Sequence, residues 1–187
     1  MFHIMHILFI YKNIKELLDK GETDLNCIDT SEITDMSHLF DSYYNKISNI
    51  NFNFDISSWD VSNVLNMEYM FCDCKKFNCD LSKWDVSNVE NMSHMFYACI
   101  NLDYGMSNWN VSNVINMRYM FYKCENFTGK GLENWDVSNV ESMEDMFNRC
   151  ENLNCDLSKW NISNVKYMNS IFDGCTSLKN KPSWYKK

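Results

Sequence analysis

Proline and glycine are scarce in this chain of 187 residues, which contains one proline, Pro182, and five glycines. Flexible linkers are rich in glycine, serine or proline, and no segment shows such a shift in composition. We therefore expect one continuous body, and the chain is long enough for that body to form a sizeable core.

Basic residues are also in deficit, since 17 lysines and arginines stand against 25 aspartates and glutamates, a formal net charge of −8. Nucleic acids and anionic membrane surfaces are bound by basic patches, so we expect neither as a partner. The apolar N-terminal run, MFHIMHILFIYK, is much shorter than the roughly 20 residues of a membrane-spanning helix. We expect no membrane span.

The N-terminal run has neither a basic segment nor a small-residue cleavage site, the marks of an ordinary signal peptide. Three interpretations stay open for residues 1–11: a cap on the first repeat, an export signal of unusual form, or a disordered segment. Just beyond it, Ile14, Leu17 and Leu18 lie at helical spacing and precede Gly21. This pattern predicts a capping helix over Lys12–Lys20.

Catalytic patterns are missing as well. The chain has no glycine-rich phosphate loop and no HExxH motif, and none of its four histidines recurs near a fixed cysteine or serine with an orienting acid. Paired carboxylates such as Asp80 and Asp85 are expected to be solvated or to cap turns. We predict that the protein is not an enzyme and needs no cofactor.

What the chain does contain is a repeat of about 25 residues. Six tryptophans are spaced by 25, 25, 26, 25 and 24 residues: Trp59, Trp84, Trp109, Trp135, Trp160 and Trp184. The unit is W-[DN]-[VI]-S-N-V-x-x-M-x-x-[MI]-F-x-x-C-x-x-[FL]. A degenerate copy, IDTSEITDMSHLF, precedes the first tryptophan, with Met36, Leu39 and Phe40 at core positions.

The repeat defines the domain boundaries. We expect an N-terminal apolar segment and capping helix over 1–27, followed by one repeat array over 28–187. The array comprises a degenerate repeat over 28–58, with six extra residues within 43–50, repeats that begin at 59, 84, 109, 135 and 160, and a C-terminal cap over 184–187.

Two spacings alternate inside one repeat. Leu81, Trp84 and Val86 are separated by polar residues, as in a short strand, whereas a second set lies at i, i+3, i+6, i+7 and i+10, as on one face of a helix: Val89, Met92, Met95, Phe96 and Cys99. We therefore predict an α/β solenoid of about 25-residue coils, each a short strand plus a short helix, with an N-terminal helical cap.

Three residue types recur in every full repeat. They form a tryptophan column, a cysteine column and an asparagine column: Trp59, Trp84, Trp109, Trp135 and Trp160; Cys74, Cys99, Cys124, Cys150 and Cys175; and Asn63, Asn88, Asn113, Asn139 and Asn164. We expect the first two columns in the core, and the asparagines to satisfy backbone groups of the turns. A ligand site copied five times is the less favoured explanation of the asparagine column.

Three cysteines lie close enough together in the sequence to suggest a metal site. Cys72, Cys74 and Cys79 form a C-x-C-x4-C cluster that could hold zinc, but it lacks a nearby fourth ligand and is not repeated as a set, so we predict no metal. Five stacked cysteines cannot all pair in disulfides, which favours a reducing compartment.

The run C-x-x-[FL]…DLS-x-WDVSNV-x-NM-x-x-MF-x-x-C resembles the BspA-like leucine-rich repeat surface proteins, and IDTSEITDMSHLF resembles their opening repeat. The resemblance covers about Lys12–Lys187. It implies a leucine-rich-repeat-like solenoid and a cell-surface location, with adhesion or host-protein binding in some members. The free cysteines and the lack of a clear signal peptide favour the cytoplasm instead, and the location stays open.

Recognition is expected where the repeats differ. In-register stacking predicts an aromatic patch of two rows beside an arginine: Tyr69, His94 and Tyr119; Tyr97 and Tyr122; and Arg118. Such residues are enriched in protein interfaces, so we predict a monomeric, non-catalytic module that binds an unidentified protein. The alternatives are rings that merely cover the core, a glycan-binding adhesin, and an intracellular scaffold or thiol or metal protein that uses its cysteines.

Overall fold

The computed structural model describes residues 2–42 and 54–185. Its first element, α1, is an α-helix over Phe2–Asp19, so the helix begins earlier than the predicted Lys12–Lys20. The extra residues within 43–50 and the last two residues of the C-terminal cap, 186–187, lie outside the described residues. In the described part of the chain, no helix has the length and hydrophobicity that crossing a membrane requires.

A glycine follows the end of helix α1. Gly21 has a left-handed backbone with φ 79°, and its N–H donates to the Leu18 carbonyl at 2.9 Å, while the N–H of Glu22 donates to the Leu17 carbonyl at 3.0 Å. These bonds satisfy carbonyls that the end of a helix otherwise leaves free. Ile14 of α1 is 1% exposed and belongs to the same apolar core as the repeats, so α1 packs on the repeat array.

The prediction of an α/β solenoid with a strand and a helix in each repeat is wrong. Besides α1, the described residues contain one short 3-10 helix, Leu132–Asn134, and isolated parallel bridges instead of strands. Each repeat is a succession of tight turns, and its regularity lies in how it bonds to its neighbours.

The turns of one repeat show why helical spacing misled the prediction. His94 and Ala98 both have a left-handed backbone, each with φ 57°, which interrupts the bonding of an α-helix. The N–H of Met95 donates three residues back to Met92 at 3.2 Å. Apolar residues recur at helix-like intervals because successive three-residue turns bury them.

Repeats stack in register through parallel bridges at one position of all six: Asp35, Asn66, Asn91, Asn116, Ser142 and Tyr167. Alternate N–H groups along the turns donate to the next repeat, at 2.7–2.9 Å in one example. In that example the donors are Met92, His94, Phe96 and Ala98, and the acceptors are the carbonyls of Asn116, Arg118, Met120 and Tyr122. The backbone of these turns is therefore satisfied largely between repeats.

The core consists of columns of like side chains. Phenylalanine rings stack with centroids 5.5–6.0 Å apart along the array: Phe40, Phe71, Phe96, Phe121, Phe147 and Phe172. Beside them, Val89, Met92 and Met95 are fully buried, as are their equivalents in the neighbouring repeats. A repeat buries its apolar side only against its neighbours, so stability depends on stacking.

Candidate functional site

The tryptophan column is part of the structural core. Its five rings are 3–4% exposed. Each indole N–H donates, at 2.8–3.1 Å, to the backbone carbonyl three residues before the start of the preceding repeat. In the middle of the array, Trp109 donates to Leu81 at 3.0 Å. Each bond satisfies a buried donor and a buried acceptor at once, which gives tryptophan a structural role in every repeat.

The cysteine column is also structural. Each of its five thiols donates to the carbonyl of a phenylalanine in the preceding repeat at 2.8–3.1 Å. Burial raises the pKa of the Cys99 and Cys150 thiols well above its usual range and that of Cys175 to about 12. All nine cysteines, which lie within the described residues, are free thiols. Protonated, buried thiols are poor nucleophiles, so the column packs as small apolar residues with weak donors.

The asparagine column bridges consecutive turns. Each side-chain amide donates to the carbonyl of the serine in the preceding repeat at 2.6–2.9 Å. Within the same turn, the Ser62 N–H donates to Asp60 Oδ1 at 3.0 Å, and the Ser62 hydroxyl and N–H together lower the pKa of Asp60. In the motif D-x-S-N, the aspartate and serine therefore stabilise one turn, and the asparagine bonds that turn to the equivalent turn of the preceding repeat.

The C-x-C-x4-C cluster shows no ligand geometry. The Cys74 thiol donates to Phe40 O and the Cys79 thiol to Phe54 O, each at 3.1 Å. Burial raises the pKa of Cys72 to about 12 and that of Cys79 to about 11. Among residues 2–42 and 54–185, no group of three or more His, Cys, Asp or Glu side chains is placed to hold a metal ion.

The candidate recognition residues lie on one face of the stack. In the first row, ring centroids are 4.8 Å apart between His38 and Tyr69, 4.1 Å between Tyr69 and His94, and 4.8 Å between His94 and Tyr119. All four residues have left-handed φ values of 56–58°, so they occupy the same position of consecutive repeats.

A second row lies against the first. Tyr97 and Tyr122 stack with centroids 4.8 Å apart, and Tyr122 meets Tyr119 edge-on at 5.4 Å. Tyr97 also contacts the His94 ring at 6.0 Å. The six rings form one contiguous, half-buried surface, which we call the aromatic face: His38, Tyr69, His94, Tyr97, Tyr119 and Tyr122.

Stacking covers both faces of two rings in this surface. Tyr69 is covered by His38 on one side and His94 on the other, and His94 is covered by Tyr69 and Tyr119. Burial raises the pKa of the Tyr69 and Tyr97 hydroxyls, and a hydrogen bond with Asp145 raises that of Tyr119. At neutral pH the surface therefore presents protonated tyrosine hydroxyls and ring edges.

Cations border the aromatic face at one end. The Arg118 guanidinium lies 5.0 Å from the Tyr119 ring centroid, and its Nε lies 2.9 Å from Glu144 Oε2. Lys123 Nζ lies 5.3 Å from the Tyr122 centroid. Both are cation–π distances, so the predicted residue Arg118 is fixed beside the rings.

His94 is the polar anomaly of the aromatic face. Its Nδ1 is buried and has no hydrogen-bond partner. Burial, reinforced by the positive charge of Arg118, lowers its pKa to about 4, so the imidazole is neutral at physiological pH. A buried nitrogen without a partner destabilises a fold, so the unpaired Nδ1 offsets part of what the stacked ring contributes.

The same columns carry no rings in the last two repeats. Asp145 and Ser170 continue the first row with φ 54° and 55°, and Asn148 and Asp173 continue the second. The backbone conformation is thus retained with small polar residues, and the rings of the middle repeats are not needed to form the turns.

An open groove of about 630 Å³ follows the asparagine column elsewhere on the stack. Leu65 and Ile115 line it and are 46% and 44% exposed. Both belong to repeats that also carry aromatic-face residues, Tyr69 and Tyr119. They therefore provide matched controls for substitutions in the aromatic face.

Sequence reasoning missed one member of the aromatic face. His38 lies in the degenerate repeat, where its Nδ1 is 2.7 Å from Asp41 Oδ2. The alignment of Met36, Leu39 and Phe40 with later core positions already assigned His38 to the column of Tyr69, so register was the signal that could have found it.

Comparison with known proteins gives one match. The model of a family described as "Mycoplasma protein of unknown function, DUF285" matches residues 7–130 and 99–186. No curated protein and no solved structure matches the chain.

Proposed function

Because the chain belongs to the DUF285 family of Mycoplasma proteins of unknown function, we propose a function from its surface: it is a non-catalytic module that binds a protein through the aromatic face. One observation carries the proposal. Six contiguous rings occupy columns that the last two repeats fill with small polar residues on the same backbone.

The chemistry of the aromatic face suits a protein partner. Tyrosine and arginine dominate the energetically important positions of protein interfaces, and rigid stacked rings lose little conformational entropy on binding. A glycan-binding role is less favoured, because sugars stack on free ring faces and both faces of Tyr69 and His94 are covered. Binding to a glycan array in preference to proteins would reverse this choice.

The resemblance to BspA-like surface proteins supports adhesion or host-protein binding as the finer form of this proposal. Buried free thiols support an intracellular scaffold instead. Protease treatment of intact cells separates the two, because only a surface-exposed chain is degraded while the cells remain sealed.

The test compares two variants of the immobilised protein in capturing partners from a host or parent-cell extract. The first replaces Tyr69, Tyr119 and Tyr122 with serine, the residue found at position 170. The matched control replaces Leu65 and Ile115 with serine, which removes exposed apolar groups from the same repeats outside the aromatic face. We expect the first variant alone to lose its captured protein.

Folding is monitored in both variants by circular dichroism and thermal unfolding. We expect each to unfold in one cooperative transition, since Ser170 occupies the first-row position of Tyr69 and Tyr119 and small polar residues, Asn148 and Asp173, occupy the second-row position of Tyr122. The proposal fails if capture survives the three tyrosine substitutions or is lost equally in the control.

A further inference from the structure

The outer side of the last full repeat, 160–178, differs from that of the repeats before it. In the preceding repeat, four N–H groups donate to the next repeat at 2.7–3.1 Å: those of Met143, Asp145, Phe147 and Arg149. Their register equivalents are the N–H groups of Met168, Ser170, Phe172 and Gly174. Within residues 2–42 and 54–185 these four have no hydrogen-bond acceptor.

Apolar groups are uncovered beside this row of donors. Ile162, Val165 and Met168 are only partly buried, whereas their equivalents in the preceding repeats are 0–1% exposed. Tyr167, at the bridge position, is 58% exposed. Unsatisfied N–H groups next to exposed apolar side chains are the hallmarks of an unpaired edge.

The C-terminal segment covers only part of the edge. Trp184 and Tyr185 pack on the Phe172 ring, with centroids 5.8 and 5.3 Å away, and Phe172 is 1% exposed. Among the described residues, nothing further covers the part formed by residues 162–170, and Tyr185 lies on the ring against which the phenylalanine of a further repeat would stack.

The direction of the bonds restricts what can dock there. The four unpaired groups of this row are all donors, so a second copy that docked in register through the same edge would oppose N–H groups with N–H groups. An occupant must instead offer a row of carbonyls. Within the array, the repeat that begins at Trp135 does so, with its carbonyls accepting from the repeat before it at 2.8–2.9 Å.

We propose that this edge binds a further copy of the 25-residue repeat, which docks through its carbonyl row and buries Ile162, Val165 and Met168. The carbonyl row rather than charge identifies this occupant, because Lys166 already pairs with Glu141 at 2.8 Å and the exposed Asp173 lies between two of the donors. The proposal is independent of the aromatic face.

The probe is a fluorescent peptide of residues 135–159, a whole repeat that includes Glu141, Glu144 and Asp145. Fluorescence anisotropy with the full chain should show saturable binding, and a scrambled peptide of the same composition should bind at least tenfold more weakly. Tyr185→Ala should strengthen binding severalfold, because it clears the Phe172 ring.

Hydrogen exchange locates the site without any variant. The amides of Met168, Ser170, Phe172 and Gly174 should exchange at least tenfold more slowly when the peptide is bound, whereas that of Met143 should be protected in both states. This pattern would distinguish edge docking from binding to the groove or to the aromatic face.

A matched pair of variants completes the test. Met168→Asp places a negative charge on the edge, opposite an acidic peptide, and should weaken peptide binding at least tenfold, whereas Leu65→Asp, on an exposed position of a middle repeat, should leave it unchanged. The proposal is overturned if neither the wild type nor Tyr185→Ala binds the peptide saturably, if the scrambled peptide binds equally well, or if the four amides gain no protection.

Discussion

The middle repeats and the last two repeats share one backbone and differ in what they present on it. His94 and Asp145 occupy the same left-handed position, with φ 57° and 54°, yet one lies in a stack of rings and the other is a carboxylate. Tyr97 and Asn148 differ in the same way. The turn is therefore encoded by the columns that bond to neighbouring repeats, and the outer residues are free to vary.

This separation has an energetic basis. The tryptophan, cysteine and phenylalanine columns meet the preceding repeat through bonds and contacts that recur along the array, so a change there affects two interfaces. An outer residue affects mainly its own row. Substitutions in shared columns should consequently cost more than substitutions in the rows, and more in the middle of the stack than at its end.

The largest effect is expected in the phenylalanine column. Phe121 stacks on Phe96 and Phe147, each at 5.7 Å, so Phe121→Ala should lower the free energy of unfolding by about 3–5 kcal/mol. Phe172→Ala should cost clearly less, because in the described part of the chain its outer side packs on Trp184 and Tyr185 in place of another phenylalanine. Denaturant titration of both variants measures the difference, and equal losses would refute the dependence on stacking.

A smaller effect is expected from removing one indole N–H. Trp109→Phe leaves the Leu81 carbonyl without its 3.0 Å donor, and an unsatisfied buried acceptor costs about 1–3 kcal/mol. Trp184→Phe removes the equivalent bond at the partly exposed end, 2.9 Å to Leu157, and should cost less because water can replace the donor. Thermal unfolding compares the two, and a larger loss for Trp184→Phe would contradict the expectation.

Register and burial could be predicted from the sequence, whereas backbone conformation could not. The fixed spacing of Trp84 and Trp109 determines which residues align between repeats, so the rows of Tyr69, His94 and Tyr119 follow from counting. Helix-like spacing of Met92 and Met95 indicates which side is buried, but a helix and a series of three-residue turns bury side chains at nearly the same intervals.

Most of the left-handed residues left no sequence signal of their own. In this position glycine, asparagine or aspartate is the usual choice. Asp145 and, in the neighbouring column, Gly174 match this expectation, whereas Tyr69 and Tyr119 do not. Hydrogen bonds between repeats fix these conformations. The conformational propensity of a residue and its sequence neighbours carries no information about such bonds. The pairing of cysteine thiols with phenylalanine carbonyls was hidden for the same reason.

A still smaller effect concerns pH and distinguishes His94 from its polar counterparts. Its pKa is about 4 in the folded chain, below its ordinary value of 6.5, so the unfolded chain binds the proton first. Stability should therefore be full above about pH 6.5 and should fall as the pH decreases towards 4. His94→Phe should lose this contribution, while the response of the carboxylates stays common to both proteins.

The measurement is the difference in the free energy of unfolding between His94→Phe and the wild type at pH 7 and at pH 5. The variant should gain relative stability at pH 5, because it has no imidazole to protonate. An unchanged difference would show that His94 titrates normally in the folded chain, and the anomaly of its unpaired Nδ1 would then need another explanation.

The smallest effect is expected at the second left-handed column, where the two regions can be compared by reciprocal substitution. Ala98 has φ 57° and Gly174 has φ 78°. Ala98→Gly removes the cost of a left-handed alanine but adds chain entropy to the unfolded state, for a net gain of about 0.5 kcal/mol. Gly174→Ala should destabilise, since its new Cβ would lie 3.1 Å from the Cα of Arg149. If both substitutions destabilised the chain, the left-handed backbone at Ala98 would carry no cost in the free energy of unfolding. The hydrogen bond from its N–H to the next repeat would then fix that conformation for any residue.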